Sequence, residues 1–479
     1  WHSLAILHRL DKETSGLLLF GKSSLANKSL TDQFARRKVH KTYHLLTRGK
    51  LPRESLTVSS KIARVGERYK SGSNGEPAET RFKLIKKIGD KLLIAAEPVT
   101  GRTHQIRVHA SENGFPILGD LPYGGAPAPR LCLHACELQF QHPASHQFFS
   151  FRAEPDFDRH PSLQLRSSLF PSEEHTAYRL IHGAADKMPG FYLDRFGDFL
   201  LAQSELRPTP AQMRLLESIS IEHGSRATYH KTWSRHTQSR GVEESSPALL
   251  FGDPAPDPFT ILENGLRYEI SFRQGYSVGI FPDQRDNRRS FLNSFISPTF
   301  PFPEFKNRSL LNTFAYTCGF SVAAAKAGWQ TTSLDLSGKY LDWGKRNMQL
   351  NAIDPAKHDF IFGDVFEWMN RLAKKERKFS AIVLDPPTFS HSKNQQFRAE
   401  RDYARLVAAA LPLLERPGLL FASTNAARLA PEEFILQVET GVRSVGRIPT
   451  ISHFVPQPPD FPITREEPAY LKTLWLLVE

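Results

Sequence analysis

The stretch SLLNTFAYTCGFSVAAAKAGWQTTSLDL, residues 309–336, decides the fold of the C-terminal half of this 479-residue chain. An apolar run (SLLNTFAY) stops at Thr317-Cys318-Gly319, a segment of helical character (SVAAAKAG) follows, and a β-branched run (WQTTSLDL) carries the chain to Asp335. Strand, tight turn, helix and second strand make one βαβ unit. Such a turn brings backbone amides close to a ligand. Outward from this unit the alternation continues through KYLDWGKRNMQLN, HDFIFGD, VFEWMNRLAKK, FSAIVLDPP, ARLVAAALPLLE, GLLFAST and PEEFILQVETGVRSVG, and YLKTLWLLVE would serve as a last strand. The pattern predicts a doubly wound, Rossmann-like α/β domain with a parallel sheet. Its second, third and fourth strands end at Asp335, at Gly363-Asp364-Val365 and at Asp385-Pro386-Pro387-Thr388-Phe389-Ser390. One Asp after a strand more often caps the next helix. Four turns in register at strand carboxyl ends mark the edge where open α/β sheets bind ligands.

Toward the N-terminus, Pro- and Ser-rich stretches at Ala153 to His175, Ser234 to Glu263 and Ile296 to Arg308 read as linkers or long loops. Before the first of them, short runs such as KTYHLLTRG, TRFKLI, KLLIAAEPVTG and LHACELQFQHP alternate with Gly and Pro, which predicts a sheet-dominated module. The expected organisation is multidomain: a mixed-sheet α+β domain over 1–153, a linker and small α+β connector over 154–263, and the α/β domain over 264–479.

Composition bounds the function. Hydrophobic residues at 40% and charged residues at 23% are ordinary for a globular protein and exclude global disorder. No apolar run approaches the ~20 residues of a membrane span, and no signal-peptide pattern opens the chain. Three cysteines (Cys132, Cys136, Cys318) cannot staple it, so a reducing, cytoplasmic setting is expected. The net charge of +12 is uneven: residues 1–150 hold 23 Lys+Arg against 12 Asp+Glu, and the remainder 39 against 38. A basic first third fits a polyanion partner, with nucleic acid the leading one, or simply a solvated basic surface.

In that basic part, Asp11 of HRLDKETSG should stand on a turn between two apolar runs, LAIL and LLLF. Arg9 and Lys12 flank it, and GRTHQIRVH brings further cations; an ionised, partly desolvated aspartate among cations can attack an electron-poor ring or form a structural ion pair. HRLDKETSG, KTYHLL, GRTHQIRVH, FPILGDLPYGG and LHACELQFQHP, in this order and spacing, resemble the RluA family of pseudouridine synthases over residues 1 to about 153. The resemblance implies a mixed-sheet synthase fold, Asp11 as nucleophile, Tyr43 packing on the target base and aiding proton transfer, and Arg107 pairing with Asp11. It implies RNA as partner, with Arg9, Arg102 and His104 binding it, and requires neither metal nor redox cofactor. Arg9 offers a planar cation that could fill the gap left by a flipped base. An Asn-Lys-Pro strand that usually precedes the HRLD block is not in this sequence, so the domain is expected to be N-terminally incomplete.

The C-terminal half resembles class I S-adenosylmethionine-dependent methyltransferases, in particular the large-subunit ribosomal RNA group that includes the 5-methylcytidine enzyme RlmI and the 7-methylguanosine domain RlmK. The blocks that carry it are RLIHG (179–183), PGFYLDRFGD (189–198), GIFPDQRDNR (279–288), NTFAYTCGFS (312–321), FGDVF (362–366) and DPPTFSHSK (385–393). The resemblance implies S-adenosylmethionine as cofactor, with Asp335 at its ribose and Asp364 at its adenine. Asp283, Gln284 and Arg285 with Asn312, Phe314, Tyr316 and Gly319 would surround the methionine end. Ser337 and Asp385 complete the cofactor set, and the loop carrying Asp385 and Pro387 would face the target base, with Asp385 catalytic. Methylation at carbon 5 of cytosine needs a cysteine thiolate. In the relatives that do this the thiol lies in a Ser-Cys-Ser segment after the fifth strand, and the resemblance puts Thr424 of Ala422-Ser423-Thr424-Asn425 in its place; Cys318 lies in the cofactor turn. A ring nitrogen needs only alignment and stacking, for which Phe389 and Tyr403 are candidates, so guanine N7 is favoured over an exocyclic nitrogen.

Together these readings describe a bifunctional ribosomal RNA modification enzyme. The rivals are a methyltransferase whose first domain only grips RNA, a 5-methylcytidine enzyme, and a non-catalytic RNA chaperone. Cys132, His134 and Cys136 share one strand face without an evident fourth ligand, so no metal is expected.

Overall fold

The computed structural model describes residues 4–128, 130–155, 157, 166, 169–233, 246–274, 277–391 and 396–479. The chain divides into two compact units, Trp1–Gln164 and Leu165–Glu479. Parts of the first two expected linkers, and Ser392 and Lys393 of the DPPTFSHSK block, lie outside the described residues.

The first unit is built on an eight-stranded sheet. Phe148–Arg152, Leu133–Gln141, His40–Thr47, Lys91–Pro98, Glu76–Ile88, Ser55–Val65 and Arg68–Ser71 follow one another across it, and Ser15–Gly16 pairs in parallel with Leu133–Gln141. One face buries Leu45, Phe82, Ile94, Ala96, Phe115 and Ile117, and the helix Gln105–Glu112 adds Ile106 and Ala110 to this core. Gly16 fixes where the HRLD block meets the sheet: its φ is +119°, and a Cβ there would lie 2.3 Å from the Ala135 carbonyl oxygen. The Asp11 carbonyl accepts from Thr14 N (2.9 Å), which closes the turn that carries the carboxylate.

In the second unit, five parallel strands lie in the order Asp359–Phe362, Gln330–Asp335, Ser309–Thr313, Phe379–Leu384 and Leu414–Thr424. Lys472–Val478 and Pro449–Val455 extend the sheet antiparallel. The strand order reverses between Ser309–Thr313 and Phe379–Leu384, so the crevice of the doubly wound fold opens there. The five parallel strands and the last strand Lys472–Val478 are those expected from the sequence; at that edge Pro449–Val455 and Lys472–Val478 are joined without a helix, and such a connection returns the chain antiparallel.

Ala177–His182, Phe191–Phe196, Phe199–Ser204, Ala227–Thr232 and Ala248–Gly252 form the central sheet, beside the helix Pro210–Glu222. The hairpin Phe259–Glu263/Leu266–Ile270 spans the expected boundary at 263/264. Phe196, Phe199 and Tyr229 of the central sheet share one core with Tyr268, Ile270, Val322 and Met348. A buried pair locks the same join: Arg288 Nε and Nη2 donate to Glu263 at 2.6 and 2.7 Å. The described part of the linker expected at Ser234 to Glu263 is corrected, since it contains the strands Ala248–Gly252 and Phe259–Glu263. Ile296 to Arg308 is a loop as expected, anchored by Phe300, which is fully buried. No helix among the described residues is long and apolar enough to cross a membrane.

Candidate active sites

In the first unit a cleft of about 850 Å³ opens over the sheet, lined among others by Arg9, Asp11, Lys41, Tyr43, Arg102, His104 and Arg107. The Asp11 side chain is 18% exposed, which leaves it open to this cleft. Arg107 reaches Asp11 as expected, at the outer limit of an ion pair. Its Nε and Nη2 donate to the two oxygens of Asp120 at 2.8 and 2.7 Å, its plane lies over the Tyr123 ring, and Asp11 stands at 4.0 Å from Nη1. The close bidentate partner is Asp120, and Asp11 makes the looser contact. Burial, and then the charge of Asp11, push the Tyr43 phenol up to about 12, so it remains protonated at neutral pH. His104 opens the helix in a left-handed conformation and shares a hydrogen bond with the Tyr123 hydroxyl (2.8 Å). Arg102 pairs with Glu76 and donates to the Pro77 carbonyl, so part of its capacity is spent within the unit. Asp120, Tyr123 and Lys41 were not singled out from the sequence. The block FPILGDLPYGG held the first two, but nothing in it shows that Asp120 would face Arg107.

In the second unit the turn after Ser309–Thr313 is held in an uncommon shape. Phe314, Tyr316 and Cys318 have φ of 52°, 48° and 62°, alternate residues in the left-handed region, at a cost of order 1–3 kcal/mol each. The neighbouring chain holds them there. Asp335 accepts from Tyr316 N and Ser337 N, both at 2.8 Å, the Thr317 hydroxyl donates to Gly279 O, and Asn347 donates to Thr317 O. Burial raises the Asp335 carboxyl. Asp364 caps the next helix by accepting from Phe366 N and Glu367 N, and Ser337 caps Gly338–Leu350. Around Asp364 lie Phe314, Leu336, Val365, Phe366 and Phe397, and Phe362, which pairs with Asp335 across the sheet, is 64% exposed. Apolar side chains suit a flat ring, and a carboxylate beside them can accept from an amino or hydroxyl group.

The next turn carries Asp385. Its Oδ1 accepts from the Ser423 hydroxyl and from Gln284 Nε2 (3.2 Å), and its carboxyl is pushed up to about 6, chiefly by burial and further by the charge of Asp283. Asp283 accepts from the Tyr470 hydroxyl (2.8 Å) and is itself raised by burial. Pro387 and Phe389 of the same loop are exposed.

Several expected site residues prove to be supports. Tyr403 is fully buried and donates to the Leu384 and Ser423 carbonyls, which leaves no face for a base. Arg285 is 1% exposed and bound to Asp460, so it cannot surround a cofactor. Asn312 is buried against Ser321, and Gln284, 3% exposed, orients Asp385. Gly319 begins the helix behind the turn.

Residues 181–477 match the family model described as S-adenosylmethionine-dependent methyltransferase. The chain belongs to that methyltransferase family. Residues 2–112 match the model for RNA pseudouridylate synthase, so a synthase-like domain precedes the methyltransferase region. YwbD of Bacillus subtilis (strain 168) is 30% identical over 320 residues, 66% of this chain and 78% of its own. The ribosomal RNA large subunit methyltransferase I of Aeromonas salmonicida (strain A449) is 30% identical over 313 residues, 64% of this chain and 76% of its own. Among solved structures, SMU.776 complexed with SAH superposes with a TM-score of 0.55 at 28% identity, covering 66% of this chain and 79% of that one. S-adenosylmethionine is therefore the cofactor of the second unit. Asp335 ends the strand Gln330–Asp335, Asp364 follows Asp359–Phe362, and Asp385 follows Phe379–Leu384 beside the point where the strand order reverses.

Proposed function

We propose that the chain modifies ribosomal RNA twice, by S-adenosylmethionine-dependent methylation of a purine ring nitrogen, favoured as guanine N7, and by isomerisation of uridine to pseudouridine in the first unit. RNA as substrate draws on the names of the relatives and on the basic first third. The observation that carries the choice of atom is the chemistry around Asp385. Thr424 is fully buried with its hydroxyl accepting from Ala426 N, and Cys318 is fully buried with its thiol pushed up to about 12. Neither offers the nucleophile that carbon 5 of cytosine demands. When bound, S-adenosylmethionine supplies an electrophilic methyl group. Alkylation of N7 leaves a positive charge on the base, which the carboxylates Asp385 and Asp283 would stabilise.

For the isomerase, Asp11 in an open cleft beside Arg107 and Tyr43 supports attack on an extruded uridine. Mass mapping of nucleosides in RNA treated with the purified chain tests both halves. Appearance of 7-methylguanosine and pseudouridine is expected; 5-methylcytidine alone would overturn the choice of atom, and methylation without pseudouridine would leave the first unit as an RNA grip.

A further inference from the structure

A run of aromatic rings leads from the carboxylates of the methyltransferase site to the surface of the central sheet. Tyr470, whose hydroxyl holds Asp283, lies 6.5 Å from the His182 ring, and His182 lies 5.4 Å from Tyr192. Tyr192 in turn overlaps Trp233 at 4.7 Å with 31° between planes. Each ring is fixed by a polar tether. Arg179, bidentate to Asp194, approaches His182 Nδ1 at 3.1 Å and lies over Tyr192. The Tyr192 hydroxyl donates to Glu467 (2.7 Å). The Trp233 indole N–H donates to Gln203 (3.0 Å), which donates onward to Asp194 (2.9 Å).

Trp233 is the outer end of this wall and is 41% exposed, whereas Trp329, Trp343 and Trp475 are at most 1% exposed. Its polar atom is spent inside the protein. What it presents to solvent is a flat apolar ring in a preset orientation, at the cost of leaving apolar area wet.

We propose that Trp233, backed by Tyr192, is a stacking shelf for an unpaired base that flanks the target nucleotide in RNA, an inference that rests on the reading of the second unit as an RNA methyltransferase. When one base leaves a helical stack to enter a pocket, its neighbour loses a stacking partner. An aromatic side chain fixed beside the pocket replaces that partner for any of the four bases, because each has a π face. Continuity favours a nucleobase over a protein partner. The ring at the inner end of the wall holds a carboxylate of the methyltransferase site, and the steps between ring centroids are 4.7, 5.4 and 6.5 Å, a span that nearby nucleotides of one strand would bridge.

The test uses the full chain, S-adenosylmethionine and a ribosomal RNA fragment that the wild type methylates. Trp233→Ala should raise KM for RNA about tenfold, with kcat within about twofold and S-adenosylmethionine affinity unchanged, and Trp233→Phe should retain most of the wild-type KM. Addition of single-stranded RNA with S-adenosylhomocysteine should quench a part of the indole emission that Trp233→Phe lacks. An unchanged KM in Trp233→Ala overturns the shelf. So does a parallel loss of S-adenosylmethionine affinity, which would make Trp233 a structural brace. Equal damage from Phe and Ala overturns it as well, because the tether to Gln203 would then matter and the ring face would not. Absence of methyl transfer to any RNA by the wild type overturns the RNA reading itself, a failure distinct from an active enzyme indifferent to Trp233.

Discussion

Asp385 sets the sharpest expectation for a single residue. Its carboxyl titrates near pH 6 because burial disfavours the charge, so the ionised form is complete at pH 8 and is lost as pH falls through 6. If the carboxylate stabilises charge on the methylated base, kcat should fall in acid with an apparent pKa near 6. Asp385→Asn should lower kcat by about 10²-fold and remove that inflection, as a rate–pH profile at saturating substrate would show. Stability should move the opposite way. The fold binds this proton more tightly than an unfolded chain, whose Asp titrates near 4, so this group stabilises the fold as pH drops from about 6 toward 4. The motif around Asp385 was legible in the sequence because it follows an apolar strand. The supporting roles of Tyr403, Arg285 and Asn312 were not, since proximity in a motif does not reveal whether a side chain points at the crevice or into the core.

At the scale of elements, the strand-turn-helix pattern read from residues 309–336 corresponds to Ser309–Thr313, Gly319–Lys326 and Gln330–Asp335. Local pattern suffices there because Ser309–Thr313 is largely apolar, Gln330–Asp335 is β-branched, and the Ala-rich helix between them stops before Gly328. It fails at Pro449–Val455, whose alternating burial belongs to a half-exposed edge, and at Ala248–Gly252, which carries no fully buried side chain. The hairpin Phe259–Glu263/Leu266–Ile270 does carry a local signal in its Asn264-Gly265 turn, both residues at positive φ, but a linker read as far as Glu263 cuts across it; the Arg288–Glu263 pair that locks it joins residues 25 apart and has none. Replacing Arg288 by Met strands Glu263, which is wholly buried, as a lone charge. A loss of roughly 3–5 kcal/mol is expected, read as a lowered urea midpoint, and the double variant Arg288→Met with Glu263→Leu should recover most of it.

At the scale of the whole molecule, the charge asymmetry and the division into two compact units agree: the basic residues gather in the unit that matches a pseudouridylate synthase, and the methyltransferase unit is nearly neutral. Each unit has its own hydrophobic core, so its chemistry should fail alone. Asp11→Asn removes a nucleophile while keeping the shape of the turn, and should abolish pseudouridine formation with methyl transfer unchanged; Asp385→Asn should slow methyl transfer and leave pseudouridine formation unchanged. Binding is a different matter. If the cations of the first unit hold phosphates for both reactions, raising salt from about 50 to 200 mM should weaken RNA capture steeply. The KM for RNA in methyl transfer should then rise with salt in the full chain, and Asp11→Asn should follow the same slope, because it leaves the cations in place. A methylation KM indifferent to salt would mean that the basic unit serves only its own reaction.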